Sequence, residues 1–113
     1  MTLDIPVYTP SVVNQRNHWH AKAKQTKAQR QAVAWCWSVF KRNGDVPPLP
    51  VVVWLTRVSP RELDDDNLRP ALKAVRDEVA YRLGLPNDRD PSVKWEYAQR
   101  KGRPAVVIHV EPQ

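Results

Sequence analysis

The chain has 113 residues, enough for one domain with a single modest core and not for two. Its formal charge of +6 and the spread of Lys and Arg along it point to a polyanionic partner, nucleic acid first. A lone cysteine excludes an internal disulfide framework and a Cys-based zinc site. With no signal-like leader and no apolar run able to span a bilayer, the expected setting is a reducing cytoplasm without a membrane partner.

Leu3, Ile5 and Val7 alternate with Asp4, Pro6 and Tyr8, which predicts a first strand. Pro6 lacks a backbone donor and so places that strand at a sheet edge or interrupts it. Residues 9–20 form a polar loop whose Asn14, Arg16, His18, Trp19 and His20 have the chemistry of phosphate contacts and base stacking. His18-x-His20 could ligate a metal, but no third soft ligand stands nearby, so a loop role is expected. A helix follows from about Lys22 to Phe40, with an apolar stripe of Ala32, Trp35, Cys36, Val39 and Phe40. Cys36, between two tryptophans, reads as a buried structural thiol, and most of the five tryptophans read as core. The helix carries Lys22, Lys24, Lys27 and Arg30 with no acid among them. In isolation such a run is a solvated face; the unbalanced sign makes it a candidate phosphate-contacting surface. Asn43-Gly44 reads as its C-cap.

The prolines of residues 46–50 make a stiff connector. Val51 to Val58 is almost wholly apolar and reads as a central strand. Leu68, Leu72, Val75, Val79 and Leu83 recur at helical spacing and predict a second helix from about Asn67, with Pro70 tolerated in its first turn and Gly84 as its cap. Arg69, Lys73 and Arg76 lie off that stripe. Val93, Trp95 and Tyr97 alternate with polar residues, residues 101–104 suggest a hairpin turn, and Val106 to Val110 is a last strand. The order β-α-β-α-β-β predicts an α/β (α+β) domain over residues 1–113: a small mixed sheet with two main helices packed on it and a terminal antiparallel hairpin.

The most informative stretch lies between the second strand and the second helix. Glu62, Asp64, Asp65 and Asp66 are four of only twelve acids in a basic chain. Adjacent carboxylates repel one another and gain nothing from a core, so a positive group must offset them. In an extended segment Asp64 and Asp66 would share one side, with Asp65 opposite. A second acidic loop, Asn87-Asp88-Arg89-Asp90, follows about one helix later. Hard oxygen donors from two segments suit Mg²⁺, which needs one or two carboxylates when substrate phosphate completes its shell, and such ions drive in-line phosphodiester displacement. Lys73 has the reach to contact a scissile phosphate. The plainer reading is that Asp66 or Asn67 caps the helix and the remaining acids are solvated, each adding roughly 0.3–1 kcal/mol through the helix dipole. An EF-hand lacks its glycine and closing glutamate here, and a chain with three glycines offers no glycine-rich phosphate loop, so no organic cofactor is expected.

These residues carry a family resemblance. Asp64-Asp65-Asp66-Asn67-Leu68, the helix to Leu83, Gly84 and the Asp88/Asp90 loop resemble the RusA family of phage and prophage Holliday-junction endonucleases. That family shows Asp-x-Asp-Asn-Leu, an amphipathic helix, a Gly-bearing turn and an acidic pair before a strand. Pro10-Ser11-Val12-Val13-Asn14, ahead of a basic helix, is similar to the family's Pro-Ser-x-Asn opening. The resemblance spans nearly the whole chain in element order and is specific at the Asp-x-Asp-Asn core. It implies a homodimeric nuclease, in a bacterial host cell, that nicks four-way DNA junctions symmetrically with Mg²⁺ or Mn²⁺ in recombination and repair. It assigns metal-binding carboxylates to Asp64 and Asp66, and a third to Asp88 by aligning the acidic pair or to Asp90 by counting back from the strand. Two departures stand out: the family's lysine three residues after the asparagine is Pro70, leaving Lys73 as the nearest replacement, and the first acid of the second pair is Asn87. A non-catalytic DNA-binding protein, or a small interaction protein with no nucleic-acid role, are the competing expectations.

Overall fold

A computed structural model of the chain describes residues 1–11 and 19–113, with the backbone alone at 19 and 20. The elements are β1 (Thr2–Ile5), α1 (Trp19–Asn43), β2 (Val51–Ser59), α2 (Asp65–Ala71), α3 (Lys73–Arg82), β3 (Val93–Lys101) and β4 (Ala105–Pro112). They build a mixed α+β fold, a four-stranded sheet in the order β1-β4-β2-β3 with the helices packed on it. Among the described residues no helix is long and apolar enough to cross a membrane.

β2 is central, as its apolar run suggested: β4 pairs with it antiparallel and β3 parallel. Val51, Val53 and Leu55 are fully buried, joining Val106, Ile108 and Val110 of β4 in one core with Val33 and Trp37 of α1 and Leu68, Leu72, Val75 and Val79 of the later helices. Burying each such side chain contributes about 1.5–3 kcal/mol. β1 lies at the edge and stops before Pro6, where a donor would be missing.

Three expectations need correction. β3 and β4 form no hairpin, because β2 sits between them; residues 102–104 instead carry the chain over the end of β2, where the Gly102 N–H donates to the Ser59 carbonyl at 3.2 Å. A turn signal shows that the chain reverses, not which strand fills the gap. The crossing is tight: a Cβ on Gly102 would lie 2.9 Å from Val58 Cγ1. Gly102→Ala is therefore expected to destabilise the fold by about 1–3 kcal/mol through overpacking. An unchanged urea midpoint would show that the crossing relaxes freely.

The second correction concerns α1, which buries Gln29, Val33 and Trp37, with Ala32, Cys36 and Phe40 partly covered; Trp35 is 68% exposed and Val39 lies outward. Apolar residues occur on both sides of this helix, so spacing alone permitted two stripes. Of the tryptophans with described side chains, only Trp37 is fully buried. Cys36 is half-buried, and burial together with nearby Asp4 raises its thiol pKa, as suits a structural residue. The third correction is that the second helix is broken at Leu72 into α2 and α3. Pro70 stands well inside α2 and has no N–H to donate to the Asp66 carbonyl. The Leu72 N–H is then shared between the carbonyls of Leu68 and Arg69.

Gly84 does take the left-handed conformation, φ +79°, and closes α3 with paired bonds from Gly84 N to Tyr81 O and Leu85 N to Ala80 O, a Schellman motif. Gly44, by contrast, follows α1 without a positive φ.

Candidate functional site

The acidic segment is held by β3. Gln99 accepts from the Leu63 N–H at 2.8 Å and donates to the Leu63 carbonyl at 2.7 Å, so one side-chain amide fixes the residue just before the acids. Asp64 then stands at the N-cap of α2. Its carbonyl accepts from Asn67 and Leu68, while its carboxylate makes no cap bond. Neither Asp66 nor Asn67 is the cap, while the exposure of Asp65 and Asp66 in the first turn fits the rest of the plainer reading.

Because the chain is already helical at Asp65, the alternation expected of an extended segment does not hold. Asp65 and Asp66 both line a cleft of about 550 Å³, with Arg69, Trp95, Glu96 and Tyr97 on its walls. All three aspartates of the segment are exposed, and their carboxylates have no hydrogen bond or ion pair among the described residues. Arg69 stacks over the Tyr97 ring, 5.3 Å from its centroid. Glu96, a further carboxylate at the cleft, was not anticipated; its only sequence signal is a polar position in an alternating strand.

Asp88 borders the same region through Trp95, whose indole N–H donates to the Asp88 carbonyl at 2.9 Å. Its carboxylate, however, is engaged. Lys73 Nζ donates to Oδ2 at 2.8 Å while also meeting Asp77 at 2.9 Å. Arg76 Nε lies 2.9 Å from the same Asp88 oxygen, an ion pair whose angle is too poor for a hydrogen bond. The rest of the Arg76 guanidinium donates to the Tyr97 hydroxyl and the Asp88 carbonyl, and it stacks over Trp95 at 4.7 Å. Arg76 thus organises the acidic loop. Asp90 closes a turn by accepting from the Ser92 N–H at 2.9 Å, a bond that lowers its carboxyl pKa. Of the two alternatives for the third carboxylate, neither lines the cleft, and Asp88 meets a cleft residue, Trp95, through its main-chain carbonyl. Among the described residues no three Asp, Glu, His or Cys side chains converge closely enough to hold a metal.

The hydrogen bond from Lys73 holds the Asp88 carboxyl below the usual range, against burial, which pushes it up; Arg76 adds a weaker pull downward. Lys73 is correspondingly raised. A carboxyl depressed on folding contributes stability that is complete above its unfolded value, about 3.9, and lost as pH falls through the folded value. Asp88→Asn is accordingly expected to melt lower than the parent at pH 7 and to lose less on acidification below about pH 4. If both proteins show the same dependence of Tm on pH, the ion pair contributes nothing measurable.

Lys22, Lys24 and Lys27 are exposed on α1, and Lys22 shares a groove with Lys73 and Asp77 of α3. The basic helix therefore comes to the side of α3 that carries Lys73. Asn14, Arg16 and His18 lie outside the described residues, and the side chains of Trp19 and His20 are likewise outside them. No family model matches the chain, and no curated protein matches it.

Proposed function

We propose that the chain is a metal-dependent, structure-specific endodeoxyribonuclease of the RusA type, acting as a homodimer on four-way DNA junctions. The observation that carries this reading is the exposed pair Asp65 and Asp66, their carboxylates without partners among the described residues, at a cleft walled by Trp95, Tyr97 and Arg69, in a chain of net charge +6. Asp66 in the cleft and Asp64 at the adjoining N-cap offer hard oxygens of the kind Mg²⁺ or Mn²⁺ takes, with substrate phosphate supplying further ligands. Lys73 and Arg76 both meet Asp88 at Oδ2, so Oδ1 is the oxygen it would offer such an ion. When bound, such an ion supplies Lewis-acid stabilisation of phosphodiester cleavage. The chain's own residues supply the rest: Arg69 and the α1 lysines attract the backbone, Gln99 holds the acidic segment in place, and Lys73, exposed beside Asp88, can contact the scissile phosphate.

The test is nicking of a labelled synthetic four-way junction against linear duplex of the same sequence, with Mg²⁺, Mn²⁺ or EDTA. Paired, metal-dependent nicks on the junction alone support the proposal. A second reading, junction or DNA binding without cleavage, is favoured by the engagement of the Asp88 carboxylate with Lys73 and Arg76. It predicts salt-sensitive binding with no cuts in either metal.

A further inference from the structure

Arg57 is the only charged residue of β2, and its side chain points into the protein, where it is 4% exposed. Its Nε donates to the Thr9 carbonyl at 2.9 Å and its Nη1 to the Arg61 carbonyl at 2.8 Å. Both partners are neutral. No carboxylate among the described residues pairs with it, and residues 12–18 contain no Asp or Glu. A buried cation normally needs a counter-charge, because removing it from water costs several kcal/mol. Two carbonyl bonds offset part of that and leave the charge itself unanswered.

Arg57 also lines a cavity of about 540 Å³ at the carboxyl end of β2, together with Tyr8, Ser11, Ser59 and Arg61. Ser11 is 6% exposed, and its hydroxyl has no hydrogen-bond partner among the described residues. The walls therefore carry two arginines, an unpartnered hydroxyl and no acid. Only two of the five donors in the Arg57 fork are committed to carbonyls among the described residues.

We propose that this cavity is a binding pocket for a single phosphate group, with Arg57 and the Ser11 hydroxyl as its two main donors and exposed Arg61 at its rim. A planar guanidinium matches two oxygens of a phosphate, and a hydroxyl from another segment meets a third, an arrangement that a flat carboxylate uses less fully. The phosphate belongs either to a nucleic-acid strand or to a small phosphorylated ligand. The pocket requires no metal and stands whether or not the acidic cleft cuts DNA.

Titration of the ¹⁵N-labelled full chain with inorganic phosphate, at constant ionic strength against chloride, reads the Arg57 Nε–H and Ser11 amide resonances directly. A saturable shift at both is expected in phosphate alone. Ser11→Ala, which leaves both carbonyl bonds of Arg57 in place, should weaken phosphate binding roughly tenfold, the loss of one hydrogen bond to a charged group. Arg57→Gln should abolish binding if it folds, and Ser11→Ala decides the matter if it does not. A 5′-phosphorylated thymidine dinucleotide binding much more tightly than inorganic phosphate through the same residues identifies a strand as the source; equal affinity identifies a small phosphate ligand. Shifts that track ionic strength in both salts, an unchanged affinity in Ser11→Ala, or equal binding of acetate would overturn the proposal.

Discussion

Asp66→Asn is expected to reduce metal-dependent nicking of a four-way junction by about 10³-fold, a loss of several kcal/mol of transition-state stabilisation. Junction affinity should stay level or rise, since the variant removes a negative charge that faces incoming phosphates. The amide has the shape of the carboxylate, and the side chain of Asp66 is exposed and unpaired among the described residues. The only structural loss is a first-turn acid, worth about 0.3–1 kcal/mol, so the variant remains folded. Asp65→Asn supplies the comparison. It lines the same cleft, yet the proposed reading gives it no metal role, and cleavage should change no more than a few-fold. Undiminished nicking by Asp66→Asn would remove that residue from the assignment, and equal collapse of both variants would show that the cleft acts through its summed charge.

The largest stability effect is expected where α1 meets α3. Glu78 is 5% exposed, and its two oxygens are claimed separately: Arg30 Nε at 2.9 Å from α1 and Arg82 Nε at 2.7 Å from one turn further along α3. Either arginine alone leaves the carboxylate paired, so each single alanine variant should cost about 1 kcal/mol. Removing both strands a buried charge. Arg30→Ala with Arg82→Ala is expected to cost about 3–5 kcal/mol, more than the sum of the singles. Adding Glu78→Gln to the double variant should restore a large part of the loss, because the amide has no charge to desolvate. Denaturant unfolding followed by tryptophan fluorescence, to which the buried Trp37 contributes, compares the parent with all four variants. Simple additivity in that cycle would mean that Glu78 finds water when its partners leave.

Much of this architecture was legible residue by residue. The apolar parity of Val51, Val53 and Leu55 marks a central strand, Pro6 marks an edge, and the spacing from Leu68 to Val79 marks the helical face that is buried. Parity also carried a signal that the bulk hydrophobicity of β2 concealed. Arg57 continues the inward series 51, 53, 55, and a charged residue at that place demands a local explanation. Glu78 likewise falls three residues after Val75, on the buried side of its helix. Other features had no local signal. The intervening β2 and the Gln99 clamp depend on contacts distant in sequence, and the helical start at Asp65 overrode the alternation expected of its acids. The pairing of Asp88 with Lys73 depends on how the loop after Gly84 folds back, which spacing does not encode.

The edge position of β1 has a consequence for synthesis of the chain. Leu3 pairs with Ile108 and Ile5 with Val106, and the Val110 N–H donates to the Met1 carbonyl. A ribosome adding roughly 5–20 residues per second exposes the first strand many seconds before its partner exists. During that interval Leu3 and Ile5 have no sheet to join, while β2 awaits both of its neighbours from further along. The sheet therefore closes only after translation has passed β4, and the nascent segment depends on its interspersed charges and prolines to stay unpaired with other chains until then.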